Sequence, residues 1–319
     1  MQPSFEPIAS VSLDLDNKWA YMRSSKIDGW EDYPSYLDIA VPRSLEVLKR
    51  RGATITYFIV GKDASLDKNR NAIASIADAG HEIGNHSFNH EPWLHLYSHE
   101  ELDAEIGQAE IAIENVTGQR PRGFRGPGFS LTPAVVDVLA RRGYSYDCSV
   151  FPTFIGPLAR AFYFFKSGEM TEEERQMRKR LFGRFRDGFQ SLKPSEIAAQ
   201  DGSLVEIPVT TLPILKTPVH VSYLMYLSSF SAAAAKVYWR SALQLCRATR
   251  VAPSLLLHPL DFMSREDVPE LEFFPGMSVP TREKLQMLEW ILDSMERYFR
   301  IVPMREHVDE AVRQLSVAR

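Results

Sequence analysis

The sequence predicts an α/β protein whose parallel sheet is wrapped by helices and able to close into a barrel. Short apolar runs alternate with amphipathic ones along the chain of 319 residues. Glycines such as Gly52 and Gly80 stand where helices should stop. Repeated strand–helix–strand units of this kind build parallel sheets with helices outside. There is neither an internal repeat nor a low-complexity linker, so residues 1–319 read as one domain carrying a helical insertion at 152–200.

The elements follow in order. Residues 8–16, I-A-S-V-S-L-D-L-D, read as a strand ending in acids. A helix is expected from Pro42 to Arg51, closed by Gly52, and a buried strand over 53–60. Residues 66–79 suit a helix, and 82–84 a short strand. The run 98–118 starts with Ser98 and Glu101, the spacing of a capping box. After a strand at 121–125, Thr132 and Pro133 open a helix over 132–143. Strands are expected at 144–147 and 203–209, a helix at 231–248, and an apolar strand at 253–259. A long helix near 281–298, a strand at 299–303 and a helix after Arg305 complete the chain.

The composition, 45% hydrophobic and 24% charged, is that of an ordinary globular protein. A net charge of −4 argues against a general nucleic-acid binder. Two cysteines, Cys148 and Cys246, make no disulfide framework, so a reducing compartment is the default. The first ten residues lack the pattern of a signal peptide, and no run has the ~20 apolar residues of a membrane span. The expectation is a cytoplasmic protein, with association at the inner face of a membrane left open. Within the insertion, aromatic residues at 159–166 precede a stretch with six basic residues and no acid from Arg175 to Arg186. It reads as a solvated lid helix or as an interfacial helix making peripheral membrane contact through 159–189.

Several residues of chemical interest fall at strand ends. Asp14 and Asp16 are two apart, so on a strand both carboxylates face one space, at the rim where parallel α/β folds hold their sites. His86 and His90, four apart in H-S-F-N-H, would share one side of a helical turn and could both bind a metal. Two histidines and a carboxylate form an open metal site with room for water and a substrate oxygen. His81, His95 and His99 read as structural or surface residues. R-G-P-G-F (125–129) reads as a rigid turn, with Arg125 aimed at a neighbouring carboxylate. Asp147 and His258 each end a strand. Taken singly, each of these also fits a bland reading: wet strand ends, a solvent arginine, a core histidine.

Their order is more specific. S-L-D-L-D (12–16), H-S-F-N-H (86–90), R-G-P-G-F (125–129), Y-D-C-S-V-F-P (146–152) and L-L-L-H (255–258) resemble, in sequence order, the five motifs of the polysaccharide deacetylase family, carbohydrate esterase family four. The resemblance covers about residues 7–152 and 203–304. Its first motif is D-x-D rather than adjacent aspartates, as in branches that act on peptidoglycan or deformylate lipid-linked aminoarabinose. The fourth motif lacks the usual tryptophan, and the 152–200 insertion is not a general family feature.

The resemblance implies a distorted (β/α) barrel, seven-fold, and a metal-dependent hydrolase. It implies Asp16, His86 and His90 as metal ligands and Asp14 as catalytic base, oriented by Arg125. His258 would be the general acid, tuned by Asp147. Leu255 would line the pocket for the acyl methyl, and a backbone N–H near Phe129 would help hold the oxyanion. The expected cofactor is a divalent cation, zinc first, with cobalt, nickel or iron also fitting such ligands. The expected substrate is an N-acyl, foremost N-acetyl, amino sugar in a glycan or a lipid-linked precursor. A small non-sugar amide and a non-catalytic binding role are the alternatives.

Overall fold

The computed structural model describes residues 7–156, Glu172 and 185–318. The basic and aromatic stretch expected to form a lid or membrane-facing helix lies almost entirely outside the described residues.

Strand β1 (Ile8–Leu15) is central. It pairs in parallel with β2 (Thr56–Ile59), which leads to β3 (Glu82–Asn85), β4 (Gly123–Phe124), β5 (Tyr146–Asp147) and β7 (Gly202–Glu206). On its other side β1 pairs with β8 (Ser254–Leu257). Beyond β7 the chain reaches β8, where Thr210 N–H donates to Ser254 O at 3.1 Å and Ser254 N–H to Thr210 Oγ1 at 2.7 Å. Those two bonds close a ring of seven parallel strands at a thin seam, which is why the barrel is distorted. Two further strands sit outside the seven. β6 (Ser195–Ala199) pairs antiparallel with β7, and β9 (Arg300–Val302) pairs with the start of β1. β6 departs from the expectation of a helical insertion running to residue 200, because residues 195–199 form a sheet edge.

Side chains alternate across the ring. On β1, Ala9, Val11, Leu13 and Leu15 join the core under the outer helices, while Ser10, Ser12, Asp14 and Asp16 alternate with them and face inward. Gly84 and Gly123 leave inner space that the rings of Phe58 and Tyr146 fill, and a Cβ at either glycine would collide with them.

The outer layer includes α1 (Lys18–Ser24), α2 (Leu37–Lys49), α3 (Gly61–Ala64), α4 (Arg70–Asp78), α5 (His99–Thr117), α6 (Pro133–Arg141), α7 (Val221–Ser228), α8 (Ala232–Thr249) and α9 (Thr281–Glu296). Ser98 and Glu101 make the expected capping box on α5, and Thr132 caps α6 through Val135 N–H. Helix α2 begins five residues before Pro42. The proline is tolerated because it and Asp38, whose carbonyl loses a partner, both face water. Gly52 ends that segment at φ 62°, a left-handed conformation that glycine adopts without strain.

Helix α10 (Met304–Ala318) plugs the N-terminal end of the ring. Met304, Val308 and Ala311 pack on Phe58, Tyr146, Cys148, Val205 and Ile207. Glu82 receives the Arg305 N–H at the helix start, together with the Thr56 and Tyr146 hydroxyls, and Thr56 Oγ1 receives Met304 N–H. These acceptors satisfy donors that a helix N-terminus otherwise leaves orphaned. The plug leaves the other end of the ring as the open one. Among the described residues no helix is long and apolar enough to cross a membrane.

Candidate active site

At the open end β1 delivers its two acids. Asp14 is 4% exposed and Asp16 8%. The main chain at Asp16 is fixed by Tyr36, whose hydroxyl donates to Asp16 O at 2.7 Å. Asp16 Oδ1 lies 3.3 Å from His86 Nε2 and 2.9 Å from His90 Nε2. One donor atom from each of the three residues falls within 4.8 Å of the others.

The two histidines do not share a helix face, contrary to the helical-turn expectation. They sit on an irregular loop after β3, with Ser87 at φ 60° and His90 at φ 52°. Left-handed backbone at non-glycine residues is uncommon and persists only where surroundings over-determine it. Here they do. Phe88 and Asn89 N–H groups both donate to Glu105 Oε1, and Asn89 Nδ2 donates to its other oxygen. Ser87 N–H donates to Asn85 Oδ1 at 2.8 Å, and Arg23 donates to the Asn89 and His90 carbonyls. A buried carboxylate on α5 therefore sets the path of the loop that aims both imidazoles.

The donor chemistry fits a cation. His86 Nδ1 lies 2.6 Å from Arg125 O, and a carbonyl can only accept, so Nδ1 carries the proton. In the neutral ring Nε2 then presents a lone pair towards Asp16 Oδ1, itself a buried oxygen without a hydrogen-bond partner among the described residues. A histidine that donates its other nitrogen to a backbone carbonyl is the usual arrangement of a metal ligand. Burial alone would raise the Asp16 carboxyl, but the nearby His90 and His86 side chains hold it well below the usual carboxylate range. For His90, burial outweighs the attraction of Asp16 and keeps the imidazole below its ordinary value, in the form that can bind a metal.

Beside this cluster, Asp14 Oδ1 accepts from Arg125 Nη1 at 2.7 Å. Arg125 is fully buried. It also donates to Ser12 Oγ at 2.8 Å and Cys148 O at 2.9 Å, and its guanidinium lies over the Phe58 ring. So many contacts leave it one orientation.

Asp147 lies elsewhere. It occupies the face of β5 opposite Tyr146 and Cys148, beside Glu206 on β7. It accepts from the Ser149 N–H and hydroxyl at 2.7 and 2.9 Å, and Ser149 Oγ in turn accepts from Gly126 N–H at 2.7 Å. Burial raises both acids, Glu206 far above its ordinary range. Asp147 thus braces the 125–129 turn and makes no hydrogen bond to His258. The partner of His258 is Ser222, with Oγ 3.1 Å from Nδ1. Asp261 accepts the His258 N–H at 2.8 Å.

One other expectation is corrected and one is narrowed. Leu255 is three residues from His258, so the two take opposite faces of β8. Leu255 faces outward into an apolar cavity with Trp239, Leu243 and Cys246, away from the acids. The Phe129 N–H donates to Gly126 O at 3.0 Å and is already spent. The Phe129 ring, on a residue at φ 60°, stacks on Phe151 at 4.7 Å.

His220 was not singled out in the sequence. Its ring lies 5.6 Å from that of His258 and 6.1 Å from that of Phe151. It stands alone in T-P-V-H-V, with no spacing to mark it. His81 is far from the cluster in role: its Nδ1 accepts the Ile55 N–H, its ring packs on Tyr57, and burial pushes it down to about 4.

Residues 28–146 match the family model described as polysaccharide deacetylase. The Helicobacter pylori peptidoglycan deacetylase is 26% identical over 152 residues, which is 46% of this chain and 50% of that protein. A Bacillus cereus peptidoglycan-N-acetylglucosamine deacetylase is 28% identical over 148 residues, covering 45% of this chain and 63% of the relative. The chain therefore spans about half to two thirds of the length of these relatives. A Mycobacterium smegmatis structure assigned to the polysaccharide deacetylases superposes with a TM-score of 0.61 at 20% identity, over 97% of this chain and 94% of that one.

Proposed function

The chain belongs to the polysaccharide deacetylase family, and from that premise we propose that it removes the N-acyl group, foremost acetyl, from an amino sugar of a glycan or glycan precursor, in a metal-dependent hydrolysis. One observation carries this reading: Asp16, His86 and His90 converge beside a second, separately held carboxylate, Asp14. The names of the peptidoglycan-directed relatives support the choice of an amino sugar.

A divalent cation held by Asp16, His86 and His90, with zinc first among the candidates, would supply Lewis acidity that makes water a nucleophile near neutral pH and polarises the amide carbonyl. The chain's own residues do the rest. Asp14 keeps one oxygen on Arg125 and takes the water proton on the other. Arg125 prevents that carboxylate from turning towards the histidine pair. His258, held through Nδ1 by Ser222, donates from Nε2 to the departing amine, which leaves poorly until protonated. The Phe129 and Phe151 rings form an apolar wall beside the reacting atoms and replace Leu255 as the candidate contact for the acyl methyl. Residues 152–200 we read as an insertion, and among its described residues Phe154 packs against Phe185 and Phe189.

The test is acetate release from an N-acetylglucosamine oligomer by metal-loaded protein, with bound metal measured by elemental analysis. About one equivalent of metal and acetate release are expected. Metal without release from the oligomer, but with hydrolysis of small amides, would transfer the site to a non-sugar amide. Folded protein that takes up no metal and hydrolyses nothing would make it a binding protein.

A further inference from the structure

Beside His258 lies a buried histidine that the chemistry above does not use. His220 precedes α7 and is 9% exposed. Its Nδ1 is shielded from water and has no hydrogen-bond partner among the described residues. Its ring is enclosed by Tyr223 at 4.2 Å, His258 at 5.6 Å and Phe151 at 6.1 Å. Burial, reinforced by the neighbouring His258, holds the imidazole well below its ordinary value, so it is neutral at pH 7. A neutral imidazole has one donor and one acceptor nitrogen.

An unpaired buried polar atom is costly and rare in a folded protein. Among the described residues the wall offers it no partner. Phenylalanine would fill this aromatic surround without the cost, so the nitrogen needs an explanation. A site that pairs such a group only when substrate is present converts the cost into discrimination, because a ligand without the matching group leaves the nitrogen unpaired.

We propose that His220 is a substrate-binding residue that takes, through Nδ1, a hydrogen bond from a polar group of the substrate next to the scissile amide, a sugar hydroxyl on the deacetylase reading. This deepens that reading and rests on it. The side chain adjoins the proton donor His258 and is not in contact with Asp16, His86 or His90, so its effect should be on recognition of the sugar rather than on metal binding or water activation.

The experiment compares wild type, His220→Phe and His220→Gln as metal-loaded proteins on two probes. The first is the N-acetylglucosamine tetramer. The second is p-nitrophenyl acetate, which has no hydroxyl to offer and a leaving group that needs no protonation. His220→Phe should raise KM for the tetramer by about tenfold, the worth of one well-formed hydrogen bond, with kcat little changed. Its rate on the ester should stay within about twofold of wild type. His220→Gln, which restores a hydrogen-bonding side chain, should recover much of the tetramer KM, and it serves as the test should the Phe variant not fold. Equal losses on both probes, or no loss on either, would overturn the assignment. A wild type that cleaves the ester but not the tetramer would overturn the sugar reading itself, visible before any variant is made, and this inference would fall with it.

Discussion

The two ends of the strand ring use similar residue types to opposite ends. At the plugged end Ser10, Thr56, Glu82 and His307 point inward, and Ser10 Oγ meets His307 Nδ1 at 2.7 Å. At the open end, four and six residues further along the same strand as Ser10, Asp14 and Asp16 meet Arg125 and two histidines. The first set is sealed under α10 and its polar atoms serve the plug. Each set keeps one buried atom without a hydrogen-bond partner among the described residues, His307 Nε2 under the plug and Asp16 Oδ1 at the mouth, but only the second has metal-binding side chains converging on it. A buried polar group means structure or chemistry according to what seals it, not according to its residue type.

The largest effect should come at the open end. Asp16→Ala and His86→Ala should each abolish metal retention in elemental analysis and lower hydrolysis by at least about 10³-fold. Retained metal in both would break the comparison, since the open end would then be another structural network. Asp14→Asn should keep the metal and lose about 10²–10⁴-fold in kcat, as expected for a removed general base. Joint loss of metal would show that the two carboxylates do not divide the labour.

The plugged end should answer in stability alone. Burial pushes His307 down to about 4. The unfolded chain binds a proton near pH 6.5, so the folded state is fully favoured above that pH and loses stability as pH falls from about 6.5 to about 4. For His307 the loss should reach at most about 3 kcal/mol. Denaturant titrations at a series of pH values should show it, and His307→Gln should flatten the slope without altering hydrolysis at pH 7.

Smaller effects sharpen the comparison within the open end. Glu105→Gln should weaken metal affinity by about 10–100-fold, since it aims the histidine loop without touching the ion. Ser222→Ala should lower the rate on amides roughly fivefold, the worth of one neutral hydrogen bond near 1 kcal/mol. An equal loss confined to amides from Asp147→Asn would restore Asp147 as the partner of His258.

Much of the fold was legible, because helix caps and strand periods are local. Ser98 with Glu101, Thr132 before Pro133, and the inward pairing of Asp14 with Asp16 all follow from spacing alone. Parity also places Leu255 and His258 on opposite faces, a signal present in L-L-L-H but outweighed by the motif. Other features depend on contacts distant in sequence. Glu105 grips residues 88 and 89 from a helix whose pattern shows only amphipathicity. Ser222 reaches His258 across 36 positions. β6 becomes a strand because β7 offers it an edge, and His220 acquires its neighbours only when α7 docks.

The α10 plug and the β1–β9 pairing have a consequence for biosynthesis. Strand β1 finds one partner only when residues 300–302 have been made, and the ring stays unsealed until residues 304–311 follow. All of the chain between β1 and α10 must be translated before the barrel can consolidate. Until then the exposed inner strands should depend on chaperones for protection, and a ribosome stalled before codon 300 should release a chain that proteases degrade rather than a partly active enzyme.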